Sequence, residues 1–479
     1  MAFALPRIDT ASARYPWYVL GSVCVGMVMG TFDFGALNAA YPTLAAAFDA
    51  PAAVISWVGI AYSLTSASLL AVFGRLADLV GRKRVYLLGF VVYLVGAVAA
   101  SLAPGLSWLI AARALCGVGS AMLVANSIAI IGAHVPAHRR GMAIGAVETA
   151  VAVGLALGPV AGGMLAERLG WRAIFLGSWP AGLLGLLVGL IVLRETPRSG
   201  PRERFDFLGA GLFATGVVAL LLGLTLGSTT GWTTPRVLAA FLAAALLLPT
   251  FVVVERRVKH PMIALSLFRH PVFAAANVAK VCCYASFMSA TFLAPFYLQE
   301  VLGLAPGQVG VALAPVPIAL SVSALGMGAL SDRVGTRRLC VAGLLLGAIG
   351  AVLLARLAPE GGYAAAFVSL LVLVFGMGTF IAPNDSAIIG AAPRHQLGVA
   401  SGILALTRSL GMILGLAIAG TVFSARQAYY LASGAGSAAA FLAAFHDVFK
   451  VVLGLCLLGV ALSLVGGPRR AAGPAHAHE

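Results

Sequence analysis

Asp33 is the first residue in this chain that poses a chemical question. It stands in MVMGTFDFGALNAAYP (27–42), with no Lys or Arg within several positions to neutralise it. Other ionisable residues interrupt otherwise apolar runs: Arg113 in LIAARALCGVG (109–119), Glu148 in GAVETAVAVGLALGPVAGG (145–163), Lys280, Asp385 in APNDSA, and Arg408. A charge in hydrocarbon is costly unless it is paired or reached by water. A carboxylate held there can gain and lose a proton as its neighbours or its access to water change. These residue types therefore suit proton exchange coupled to movement. Asp33 is the expected proton carrier and Arg113 its partner. A rise of about 1.5 Å per residue puts both about 10 Å below the outer ends of their runs. Glu148 is the rival carrier. Lys280 and Arg408 read as side chains that satisfy a backbone carbonyl or a neighbour, and Asp385 as a gate residue or helix-end cap. Phe34, Trp57, Tyr62, Tyr284, Phe287, Phe292 and Phe380 fall in the same runs. With Asp33 and Asn38 they are expected to line a substrate site, because aromatic faces hold flat or cationic organic ligands.

Bond-making chemistry has no comparable support. The chain has no H-E-x-x-H, no G-x-S-x-G and no G-x-x-x-x-G-K-[ST] phosphate loop. Its His residues fall in loops or in the terminal HAHE. The six cysteines lack metal-ligand spacing and read as small apolar side chains. We expect no enzyme, metal or cofactor.

The elements that must position these residues follow from composition. The 479 residues are 61% hydrophobic and 10% charged. A soluble chain carries about 25% charged residues. The apolar surface has to face lipid, and runs of about 20 residues repeat about fourteen times, each long enough to cross a bilayer as a helix. The net charge of +15 is parcelled out between the runs and does not indicate nucleic acid. Most of the Lys and Arg fall on one side, in GRKR, HVPAHRRG, RETPRSGPRER, ERRVKH and DRVGTRR, which makes that side cytoplasmic. The expectation is a multi-pass protein of the cytoplasmic (inner) membrane with both termini inside. No removable leader is evident at the N-terminus.

The chain also repeats itself. GRLADLVGRKR (74–84) and GALSDRVGTRR (328–338) both read G-x-L-x-D-x-x-G-x-[RK]-R, at an offset of 254 residues. That is longer than six spans need, and a pair of spans near 206–255 accounts for the excess. The expected division is an N-terminal six-helix bundle (1–200), an inserted two-helix segment (201–265) and a C-terminal six-helix bundle (266–479). In each repeat a Gly lets helix ends approach, the Asp sits near a cytoplasmic helix end facing cationic neighbours, and the Arg/Lys cluster can pair with it or cap helix carbonyls. Gly74, Asp78, Gly81, Arg82, Gly328, Asp332, Arg333 and Gly335, with Asp385, are the expected cytoplasmic gate. In the fifth span, Gly145, Gly154, Gly158, Gly162 and Gly163 are expected on largely one helix side, for close packing, with Pro159 bending the rod.

These stretches resemble the major facilitator superfamily. Residues 145–163 fit its antiporter motif, the paired loops fit its loop motif, and 109–119 fits its fourth-helix motif with Arg113 in the arginine position. DFGALNAAYP resembles the first-helix motif of the fourteen-span drug:proton antiporter branch, matching at Asp33, Asn38, Ala40 and Pro42. WRAIFLGSWPAG, PFYLQEVLG and GVASGILALTRSLG are typical of the same branch. Phe32, Gly35, Leu79 and Cys116 depart from the usual residues, and Glu148 is an added acid. The resemblance implies an all-α fold of two six-helix bundles. It also implies a proton-coupled multidrug efflux transporter, exporting small amphipathic or cationic compounds by alternating access, a monomer whose partners are substrate, protons and lipid. A specific metabolite or antibiotic exporter, or a proton-coupled importer, is the alternative on the same fold.

Overall fold

A computed structural model describes residues 12, 14–50, 52–195, 205–258, 261–263, 265–304, 309, 312–313 and 315–465, without the side chains of 38–40, 42, 52–53, 228–230 and 394. Among these residues there is no strand, and fourteen helices are long and apolar enough to cross a membrane. They are α1 (Tyr15–Phe48), α2 (Trp57–Val80), α3 (Arg82–Ser101), α4 (Leu106–His134), α5 (Arg140–Leu169), α6 (Trp171–Val192), α7 (Phe207–Thr230) and α8 (Pro235–Glu255). The series continues with α9 (Pro271–Val301), α10 (Pro315–Val334), α11 (Thr336–Ala355), α12 (Gly362–Ala391), α13 (Leu397–Ala432) and α14 (Ser437–Val465). In lipid every backbone group must be satisfied within the segment, so these runs have to be helices. Proline enters the first turn of α1, α8 and α9, where its missing N–H costs no helical bond. Leu238, Leu242 and Leu246 form an exposed row on α8, suited to acyl chains.

Two bundles repeat one packing plan. In the first, α1 lies on α5, and α4 takes α2 and α3; in the second, α9 lies on α13, and α12 takes α10 and α11. The bundles meet along two seams, α2 with α13 and α5 with α10. The inserted helices α7 and α8 pair with each other, and α7 leans on both α2 and α13. Trp232, in the turn between them, donates from Nε1 to Thr421 Oγ1 at 2.8 Å. The expected boundary at 200/201 lies outside the described residues.

Candidate functional site

Asp33 and Arg113 are brought together as expected. Arg113 Nη1 donates to Asp33 Oδ2 at 2.8 Å, between α1 and α4, and neither side chain is more than 3% exposed. The Tyr62 ring lies 4.7 Å from the guanidinium carbon and the Phe175 ring 5.7 Å. Tyr62 Oη hydrogen-bonds to Ser120 Oγ at 2.8 Å, which fixes the ring. Among the described residues Arg113 Nε and Nη2 have no hydrogen-bond partner. The pair thus keeps donors in reserve while its charges cancel.

Glu148 is not beside this pair. Its carboxylate is 4.0 Å from Arg408 Nη1, so the contact crosses from α5 of the first bundle to α13 of the second. Lys280 and Asp385 lie within electrostatic reach. Those two form a pair of their own, Lys280 Nζ to Asp385 Oδ1 at 2.6 Å, with side chains 1% and 0% exposed. Asp385, expected as a gate residue or helix-end cap, sits in a buried pair joining α9 and α12. Lys280 likewise has an acid for its neighbour. Sequence reasoning missed this pair because nothing in one dimension says which spans touch. The available signal was two opposite charges in the first and fourth spans of the second half, the positions Asp33 and Arg113 hold in the first.

The aromatic residues do not share one surface. Tyr62 and Tyr284 are buried beside cations, Tyr284 with its ring 5.7 Å from Lys280 Nζ. Phe34 is exposed, and Trp57 and Phe287 are half-buried. Phe292 packs on Phe296 at 5.4 Å between ring centroids. Phe380 is 0% exposed and sits against Gly343 of α11, where an added Cβ would come 3.0 Å from the Phe380 Cβ. It fills the bundle core and offers a ligand no surface here. Asn38 falls among the side chains that are not described. A separate apolar crevice, walled by Tyr297, Leu298, Leu357, Tyr363 and Phe445, lies in the second bundle away from the charges.

The repeated loops form two clasps. Asp78 accepts from the backbone N–H of Gly398 at 3.0 Å and Val399 at 3.1 Å, at the start of α13. Asp332 accepts from Gly141 at 2.9 Å and Met142 at 3.1 Å, at the start of α5. Each acid caps a helix of the opposite bundle, where free N–H groups and the helix dipole favour negative charge. Gly74 and Gly328 let the backbones touch: a Cβ on Gly74 would come 2.8 Å from the Gly398 carbonyl carbon, and one on Gly328 would come 3.1 Å from that of Gly141. Gly81 and Gly335 turn the chain at φ +120° and +95°, a region that favours glycine. Arg82 holds Asp78 at 2.7 Å. Arg333 is corrected: it is exposed and does not pair with Asp332. The receiving ends also repeat, PAHRRGMAIG (136–145) and PRHQLGVASG (393–402), both P-x-H-x-x-G-x-A-x-G. That signal was present in the sequence and went unread.

The glycine pattern of α5 divides in two. Gly154, Gly158 and Gly162 face α1: a Cβ on each would come 2.7 Å from Val28 O, 2.8 Å from Gly35 Cα and 2.8 Å from Ala36 O respectively. Gly145 faces α10, where a Cβ would meet Ala324 O at 2.6 Å, and Gly163 has nothing within 4 Å. The expectation of one shared side is corrected. Nine residues at about 100° each bring Gly145 half a turn away from Gly154. Pro159 interlocks with Gly35, whose added Cβ would come 2.9 Å from the proline Cδ. Gly158→Leu is expected to insert in the membrane yet abolish transport, because pushing α1 away at Phe32, Gly35 and Ala36 moves the adjoining Asp33 off Arg113. Normal expression with normal flux would show the contact to be dispensable.

Bundles that clasp each other at one mouth, and hold buried charge pairs between their ends, are built to part and close around a passenger. They define a multi-pass membrane carrier of small molecules. The chain belongs to the Major Facilitator Superfamily, whose family model matches residues 23–416. It is 31% identical over 451 residues to the riboflavin transporter RibZ of Clostridioides difficile, covering 94% of this chain and 97% of that one. It is 32% identical to the multidrug resistance protein Stp of Mycobacterium tuberculosis strain CDC 1551 / Oshkosh (84% and 74%), and 30% identical to the lincomycin resistance protein of Streptomyces lincolnensis (86% and 85%). The human organic anion transporter MFSD10 shares the fold, with a TM-score of 0.67 at 16% identity over 92% of this chain and 99% of that one. The superfamily assignment makes the chain a transporter and not an enzyme.

Proposed function

We propose that the chain exports small amphipathic or cationic organic compounds in exchange for protons, by alternating access. The observation that carries this reading is the buried Asp33–Arg113 pair, a carboxylate with a tuning cation and no catalytic neighbour. Relatives named for multidrug and antibiotic resistance support export. The carrier works as a monomer in the cytoplasmic membrane, with its termini and clasps inside. Residues 1–200 and 266–479 rock against each other, and 201–265 form the inserted segment. In this reading the clasped conformation is closed to the cytoplasm. Proteoliposomes with an imposed pH gradient test it: ethidium should move against its own gradient, and a collapsed pH gradient should stop it. A second reading, export of one flavin-like metabolite, is favoured by the nearly full-length likeness to a riboflavin transporter. Riboflavin accumulation without ethidium accumulation would select it.

Topology is tested separately. The native cysteines are buried or half-buried, so labelling at new sites reads cleanly. Arg198→Cys and Arg257→Cys should react with an impermeant maleimide only in inside-out vesicles. Labelling from the cell exterior would overturn the orientation.

A further inference from the structure

Each bundle carries one buried ion pair between its first and fourth helices, and the signs are reversed. In the first, α1 supplies the acid and α4 the base; in the second, α9 supplies the base and α12 the acid. The two pairs also differ in depth. At about 1.5 Å per residue, Asp33 lies about 27 Å along α1 from the clasped end and Lys280 about 14 Å along α9 from the same end. Glu148 and Arg408 lie about 12 and 17 Å from that end on α5 and α13. The lower half of the carrier therefore holds a four-charge cluster.

The members of this cluster are not held equally. Lys280, Asp385 and Arg408 all ride on the second bundle, whereas Glu148 rides on the first. Among the described residues Asp385 Oδ2 is buried with no partner meeting hydrogen-bond geometry, although Oδ1 is held by Lys280. Arg408 is the most exposed member, 21% exposed, 4.0 Å from Glu148 and in contact with Tyr284 of its own bundle. The groups that act on Asp385 are Lys280 and Tyr284 from α9, Arg408 from α13, Glu148 from α5, Cys340 from α11 and its neighbour Asn384 on α12. In the clasped state Arg408 is shared with Glu148. Parting the bundles at this end carries Glu148 away on α5 and leaves Arg408 with Asp385 as its remaining acid. A second cation then favours the ionised carboxylate.

We propose that Asp385 is a second proton-carrying residue, with Lys280 as its fixed counter-charge and Arg408 as the release switch. The open Oδ2 takes the proton while the clasps are shut. Departure of Glu148 expels the proton toward the side that has just opened, which is the direction an exporter driven by inward proton flow requires. This inference rests on the proton-coupled reading above.

The test is the ethidium gradient held at equilibrium in proteoliposomes, under one unit of pH gradient and with the membrane potential clamped at zero. Each coupled proton multiplies that gradient about tenfold. Lys280→Met/Asp385→Asn removes both charges and so leaves no lone buried ion. The gradient should fall about tenfold relative to wild type. An unchanged gradient would make the pair a structural tie and overturn the proposal. If the double variant moves no ethidium, purified Asp33→Asn decides: ethidium binding should still release protons into a weakly buffered solution, and Lys280→Met/Asp385→Asn added to it should abolish that release; silence in the first or undiminished release in the second overturns the proposal. A wild-type protein that builds no ethidium gradient instead overturns the export reading, and this inference with it.

Discussion

Asp33→Asn inserts normally, binds a neutral ligand, and under one unit of pH gradient holds an ethidium gradient about tenfold smaller than wild type. Asparagine keeps the size of the side chain and can still accept from Arg113, but it cannot titrate in this range. Both side chains are almost wholly enclosed. Removing one partner of a buried pair costs up to about 3–5 kcal/mol, because the other charge is stranded. The variant is therefore expected to melt lower as well as to lose coupling. The two effects separate experimentally. Asp33→Asn/Arg113→Gln restores neutrality and recovers thermal stability, yet its ethidium gradient stays about tenfold below wild type. Glu148→Gln must be measured beside them. If Asp33→Asn keeps full pH-driven efflux and Glu148→Gln abolishes it, the first proton site belongs on α5. If both keep it, neither is the coupling group.

Much of the architecture was legible because lipid leaves a chain few choices. Apolar runs of span length give the helices, and the loop repeat identifies the two halves and both clasp acids. Asp33 and Arg113 were legible as a pair because depth along two helices is simple arithmetic. Partnership between helices of the second bundle was not: Lys280 and Asp385 are 105 residues apart, and depth alone does not say that α9 and α12 touch. The aromatic residues fail for a related reason. Phe380 and Tyr62 look alike in sequence, and only packing decides that one fills a core while the other faces Arg113. The half-turn separating Gly145 from Gly154 is different, since the helical repeat alone gives it.

The clasps carry the other large expected effect, and it is an effect on shape. Each acid accepts two backbone N–H bonds from the opposite bundle, and hydrogen bonds to a charged group contribute about 1.5–3 kcal/mol each. Loss of one such bond shifts an equilibrium between clasped and parted states by roughly one to two orders of magnitude. Asp78→Ala/Asp332→Ala should therefore spend far more time open at the basic end. Ile389 reports this: it is 1% exposed and its Cγ2 lies where a Cβ on Gly132 of the first bundle would come within 2.8 Å. Ile389→Cys should be almost unreactive toward a soluble maleimide in the clasped protein, and at least about tenfold more reactive when both acids are alanine. The single variants should rank with Asp78→Ala ahead. Its carboxylate is 1% exposed and also holds Arg82, whereas Asp332 has Thr336 where the first copy has that arginine. Unchanged labelling in the double variant would mean that helix packing along the two seams, and not the caps, keeps the mouth shut. The same experiment separates shape from coupling, because the clasp variants should still release protons on binding ethidium, which Asp33→Asn does to a lesser extent.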